Sequence, residues 1–253
     1  MQNLRQYLIL CALAIWSTHS LAADKKTVSI VTDPTFAPFE FMDKNTDKLV
    51  GFDIDLIKAI CEVEGVEPVI TTEPFDAHFP ALITHQTEIA ISGFSITEER
   101  AQIVKFSEPY YETGLCPLIS EQDVNKIKSK EDLHDLTFCV QLGTTGEEYT
   151  QKINGANLKH YNTADESFEA LEKGECQVAI NDKPIIEYYI NANHKKNLKI
   201  LDIMLTTEQY GIVTALDNDE ISNMVSSGLK KVKENGTLKK IYTKWFESDT
   251  FKK

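Results

Sequence analysis

The chain has 253 residues, 42% of them hydrophobic and 26% charged, with a formal net charge of −13. This is the composition of a globular protein with room for one or two domains. A polyanion without any basic run excludes nucleic acid and anionic lipid surfaces as partners. The first element in chain order is a leader. Arg5 gives a positive n-region, residues 7–15 are almost wholly apolar, and Ser20-Leu21-Ala22 places small residues before a cleavage point after Ala22. A membrane span needs about 20 apolar residues, more than this core offers. Cys11 lies inside the apolar core, behind Leu10, and makes no convincing lipid-attachment site. The mature chain, residues 23–253, is therefore expected to be exported, without lipid anchor or transmembrane helix, and at −14 once Arg5 is gone.

Residues 27–32 alternate with β-branched side chains and predict a strand that stops at Asp33-Pro34. Phe36, Phe39 and Phe41 follow, then a polar turn, Phe52 and a helix over 53–64 with Ile54, Ile57, Ile60 and Val63 on one face. A strand over 67–71, a helix over 75–85 and a strand over 88–92 complete a first unit. The stretch 109–120 reads as a crossing strand. The same order then returns, with strands over 136–141, 157–161 and 176–181 and helices over 146–153 and 164–173. Alternation of this kind predicts parallel sheets covered by helices, here in two similar lobes. The extended run 205–214 leads to two helices broken at Asn235-Gly236 and lined by Ile221, Val225, Leu229, Leu238 and Trp245. With the second lobe complete, that tail returns to the first. The chain thus crosses twice, so the fold class is α/β, two doubly wound lobes joined by a two-stranded hinge. Lobe one takes residues 23–111 and 208–253, and lobe two takes 112–207.

Four cysteines remain after the leader: Cys61, Cys116, Cys139 and Cys176. They allow three complete pairings. Cys139 and Cys176 lie in runs read as strands of one sheet and are the favoured pair; Cys61 reads as a lone buried thiol. No metal-ligand spacing occurs, and no cofactor or metal is expected.

The strand ends carry the polar chemistry. Asp33 ends one strand; Gly93, Ser95 and Arg100 follow another. Gln141 and the Gly143–Gly146 turn end a third, and Asn181-Asp182 a fourth. In doubly wound lobes these ends face one edge, where ligands bind. Arg100 offers a fork for a carboxylate. Backbone N–H groups near Ser95 and Thr144 sit at helix starts. Asp182, with the Gly93 carbonyl, would accept from an ammonium. Each has a plainer reading: a surface ion pair of Arg100 with Glu98 or Glu99, an N-cap at Thr144, a turn at Asp182 before Pro184. Their coincidence at four strand ends favours a clamp for a zwitterion.

The motifs TDPTFAPFEF, GFDIDL, FPALITHQTEIAISGFSITEER, FSEPYYETG, VQLGTTGEEY and LKKVKENGTLKKIYTKWF occur in this order over essentially the whole mature chain. Together they resemble the periplasmic polar amino-acid binding proteins of ABC importers, solute-binding family 3, nearest the histidine and lysine-arginine-ornithine binders. The resemblance implies a type II periplasmic binding protein, monomeric and periplasmic. It would capture a polar L-amino acid and deliver it to membrane permease subunits. It also implies roles. Asp33 would meet the ligand side chain, Phe36 would stack on it with Phe52 nearby, and Phe94 would be a second stacking ring. Gly93 and Asp182 would bind the α-amino group. Ser95, Arg100 and Thr145 would bind the α-carboxylate, and Gln141 would lie near the side chain. The small disulfide of histidine-type members is absent, because Pro68 stands where the partner of Cys61 would be. Asp33 suits a cationic or amide side chain, which favours arginine first and glutamine next.

Two other functions compete. Some exported relatives are dehydratases of cyclohexadienyl acids, but here the ammonium and carboxylate clamp is intact. No G-x-S-x-G, H-E-x-x-H or P-loop occurs, and His78, His85, His134, His160 and His194 are scattered, so an enzyme is not expected. A ligand sensor acting on a receptor is the third reading.

Overall fold

The structure is a computed structural model and describes residues 25–247; the leader, with Arg5, Cys11 and the Ala22 cleavage point, lies outside them. Two five-stranded sheets form two lobes. In the first sheet the order is Glu67–Thr72, Thr27–Thr32, Ile89–Ala90, Val213–Ala215, Val104–Phe106. In the second it is Asn157–Tyr161, Thr137–Gln141, Val178–Asp182, Leu115–Ser120, Leu198–Ile200. The first three strands of each are parallel, as the strand–helix alternation predicts.

The expectation of parallel sheets is corrected for one strand of each. Val213–Ala215 and Leu115–Ser120 run antiparallel to their neighbours. The physical reason is the double crossing. Each of these strands has just arrived from the other lobe and enters its sheet from the opposite end, an order that local periodicity cannot encode. Between the lobes Tyr111–Thr113 pairs antiparallel with Glu208–Tyr210.

The helix Phe52–Glu64 buries Ile54, Ile57 and Ile60, and ends at Gly65 in the left-handed conformation (φ 72°) that glycine adopts without strain. It packs on Asp219–Glu234, whose Ile221, Val225, Leu229 and Val232 share its core cluster. The helices approach closely at Gly228, where a Cβ would lie 2.7 Å from Ile60 Cγ2. Trp245 Nε1 donates to Asp55 Oδ2 at 2.7 Å and ties the C-terminal turn to the first lobe. The expected long helix over 75–85 is shorter, a 3-10 turn Phe75–Ala77 followed by His78–Ile83. Cys139 and Cys176 form a disulfide, while Cys61 and Cys116 are buried and free. Among the described residues no helix is long and apolar enough to cross a membrane.

Candidate functional site

The strand ends of the two sheets meet beside the crossing strands. Phe36, Phe75, Gly93, Ser95 and Arg100 face Thr144, Thr145 and Asp182 across a cavity of about 10 Å³. A larger cavity, about 440 Å³, lies farther along the lobe boundary between Phe41, Lys44, Asp165 and Tyr188, and touches neither Arg100 nor Asp182.

Arg100 is 5% exposed, a buried cation. Its Nη1 donates to the Ser95 carbonyl at 3.1 Å, and its Nη2 reaches across to the Gly143 carbonyl at 2.9 Å. Glu148 Oε1 lies 3.6 Å away. The guanidinium sits over Phe75 and Phe79, with centroid distances of 5.9 and 5.7 Å. Burial lowers its pKa, against the pull of Glu148, Glu208 and Asp182. Thr144 caps the short helix Thr145–Thr150, its Oγ1 accepting from Glu147 N–H and donating to the Gln141 carbonyl. That cap presents Thr145, whose hydroxyl donates to Glu208 Oε2 at 2.8 Å.

Asp182 closes the other end. Burial, then the nearby Glu208 charge, push it up to about 7; the hydroxyls of Tyr210 and Thr113, and Arg100, pull the other way. Asp33 is 3% exposed. Its Oδ1 accepts from Thr35 N–H and Oγ1 at 3.1 and 2.7 Å, and its Oδ2 from Gln141 Nε2 at 3.4 Å. Burial raises its pKa against these Thr35 bonds. Gln141 also donates to the Asn162 carbonyl at 3.2 Å, so it spans from the second sheet to the Asp33 carboxylate.

Behind the first wall lies a buried polar layer. Ser92 Oγ donates to Glu40 Oε1 at 2.6 Å and accepts from Asp33 N–H at 3.2 Å. Asp53 Oδ2 accepts from Gly93 N–H at 2.9 Å and from the Tyr110 hydroxyl at 2.7 Å. Gly93 itself takes φ +56°, and a Cβ there would come 2.8 Å from Phe36 Cε1.

Two expected rings are corrected. Phe52 is fully buried in the first lobe's core against Phe39, Tyr111 and Phe246, with centroids 5.8, 5.7 and 5.3 Å away. It begins the helix, and its first turn faces the core. Phe94 is also fully buried, stacked behind Phe75 at 4.8 Å. Gly93 lines the cavity and the next side chain points to the opposite side, so Phe75 takes the place at the cavity surface. Phe75 carried a signal in the sequence, an aromatic just after Pro74 at a strand end, but helical periodicity absorbed it. Glu208, bonded to Thr145 and facing Asp182, had no motif to mark it.

Residues 28–248 match the model of the bacterial extracellular solute-binding proteins, family 3. The chain belongs to that family. It is 32% identical to the arginine-binding periplasmic protein of Mannheimia haemolytica over 222 residues, 85% of this chain and 90% of the relative. Solved structures of an ancestral arginine-binding protein, bound to arginine and bound to glutamine, superpose with TM-score 0.83 at 36% identity, covering 88% of this chain and 99% of theirs. An ancestral amino acid-binding protein described as a precursor of cyclohexadienyl dehydratase superposes with TM-score 0.80 at 35% identity, covering 87% and 95%.

Proposed function

We propose that this family member captures a polar L-amino acid between its lobes and hands it to the permease subunits of an ABC importer. The observation that carries the reading is the pairing, across one cavity, of a buried guanidinium at Arg100 with a buried carboxyl at Asp182. A free amino acid presents the complementary charges a few ångströms apart. Arg100, Ser95 and Thr145 would hold its carboxylate; Asp182 and the Gly93 carbonyl would hold its ammonium. Phe36 and Phe75 would flank the side chain, and Asp33 with Gln141 would meet its tip. A carboxylate there favours a basic side chain, arginine first and glutamine next.

Lobe one, residues 23–111 and 208–253, and lobe two, 112–207, would move as bodies about Tyr111–Thr113 and Glu208–Tyr210. A cavity of about 10 Å³ holds about one water, so an amino acid needs the walls to part. Arg100–Gly143, Thr145–Glu208 and Gln141–Asp33 are contacts that would break on opening. The chain would work in the periplasm as a monomer, exported by the leader that ends at Ala22. The ancestral neighbour tied to a dehydratase is itself described as amino acid-binding. A thermal-shift screen of the twenty amino acids, with prephenate and arogenate added, tests these readings. A rise in melting temperature with basic amino acids supports capture. No shift with any amino acid contradicts it, and aromatic product from prephenate or arogenate would install the enzyme instead.

A further inference from the structure

The polar layer behind the first wall has more donors and acceptors than a binding reading alone requires. We propose that Glu40 and Asp53 are positioning residues of the amino-acid site, sharing one proton within a buried hydrogen-bond chain that fixes Gly93 and the Asp33 backbone. This deepens the reading above and rests on it for its effect on ligand.

Both side chains are fully buried. Two of their four carboxyl oxygens have defined partners. Glu40 Oε1 accepts from Ser92 Oγ, and Asp53 Oδ2 accepts from Gly93 N–H and the Tyr110 hydroxyl. Glu40 Oε2 and Asp53 Oδ1 are buried and accept from no donor, and the two carboxyls lie within each other's reach. Two ionised carboxylates so placed could only repel, because an ionised carboxylate only accepts. One of them carries a proton.

The donors decide which. Asp53 already receives one N–H and one O–H bond, which stabilise its anion. Glu40 has one hydroxyl donor and two acidic neighbours, Asp53 and Asp33. Burial and then Asp53 raise Glu40 well above the usual carboxyl range, and burial brings Asp53 to about 6. Tyr110, whose own hydroxyl is pushed up by burial and by Asp53, stays a neutral donor. The chain then closes without a spare atom: Asp33 N–H to Ser92 Oγ, Ser92 O–H to Glu40 Oε1, Glu40 O–H to Asp53 Oδ1, and Gly93 N–H with Tyr110 O–H to Asp53 Oδ2. Both ends of the chain are residues of the proposed ligand site. A residue held by its N–H at φ +56° has little freedom to swing its carbonyl off the ligand ammonium.

Three proteins are compared: wild type, Glu40→Gln and Glu40→Met. The amide of Glu40→Gln donates to Asp53 and accepts from Ser92 in every ionisation state, so it reproduces the protonated acid without a titrating proton. Glu40→Met keeps the volume but leaves Ser92 and Asp53 without partners. The infrared difference spectrum of wild type minus Glu40→Gln at neutral pH, in which the Asp182 contribution cancels, should show the carbonyl stretch of a protonated, buried carboxyl. Titration with whichever amino acid gives the largest thermal shift should show Glu40→Met weaker by roughly 10-fold or more, and Glu40→Gln recovering most of that loss. A site that only lent stability would move the melting temperature of Glu40→Met and leave its affinity alone.

Absence of the protonated band from the wild type minus Glu40→Gln difference, or unchanged affinity in Glu40→Met, would each overturn the proposal. Should Glu40→Met fail to fold, the infrared arm and the affinity of Glu40→Gln still decide, since weak binding by Glu40→Gln contradicts the shared proton. Should no amino acid bind wild type, the functional reading falls, while the infrared arm still tests the proton.

Discussion

The two walls of the cleft are built from similar sheets and secured by different means. In the first lobe, Asp33 and Gly93 are held from behind by buried, ionisable groups: Glu40, Asp53, Ser92 and Tyr110. In the second, the strands that end in Gln141 and Asp182 are neighbours joined by the Cys139–Cys176 disulfide, and the turn between them is a capped helix start. One wall depends on proton occupancy, the other on a covalent link. A protein placed in an oxidising compartment can rely on the second device without a further polar core.

The largest expected effect belongs to the group that bridges the walls. Arg100→Ala should cost about 3–5 kcal/mol of binding with every amino acid tested, because a buried ligand carboxylate loses its partner. Isothermal titration checks this, and a loss confined to one side-chain class would move Arg100 out of the carboxylate role. Next comes the covalent link. Cys139 and Cys176 are 37 residues apart, and closing such a loop is worth about 2–4 kcal/mol of stability. Reduction, or Cys139→Ser with Cys176→Ser, should therefore lower the melting temperature, and an unchanged value would show that the second wall does not need its staple.

Asp33→Asn should weaken cationic amino acids by about 10-fold or more and neutral ones little, since only the former lose a charge pair. Equal losses across both classes would place the side-chain tip elsewhere.

The smallest effect is the titration of Asp182. Its folded pKa of about 7 exceeds the ordinary 3.8, so the folded state holds the proton more tightly than the unfolded one. Stability from this group is full below 3.8 and is lost as pH rises through about 7. Binding runs the other way, since only the carboxylate pairs with an ammonium. Affinity should fall as pH drops below about 7, and binding near neutrality should release protons, measured by calorimetry in buffers of different ionisation enthalpy. No buffer dependence would mean that Asp182 does not face the ligand's ammonium.

Much of this architecture was legible in the sequence because it is local. Strand and helix order follows from hydrophobic period, and Asp33, Gln141 and Asp182 sit at strand ends wherever the strands are placed. The Cys139–Cys176 pair followed from assigning both residues to one sheet. What escaped depends on which way neighbouring side chains turn or on distant segments meeting. Phe52 and Phe94 each sit one residue from a group that the site uses, and a single step along the chain sends them into the core. Glu208 matters only because a crossing strand returns beside Thr145, 63 residues away. Glu40 and Asp53 read as ordinary acids in two motifs, and only the fold brings their bare oxygens together. The antiparallel strands escaped for the same reason, since their direction is set by where the chain arrives from.

The central claim, a cleft that clamps both ends of an amino acid, is tested most directly by calorimetric titration of the wild-type protein with one L-amino acid and with the amine that shares its side chain but lacks the carboxylate. The amino acid should bind 1:1, and the amine should bind roughly 100-fold more weakly or worse, because Arg100 is left buried without an anion. Equal affinity for the two would contradict the clamp.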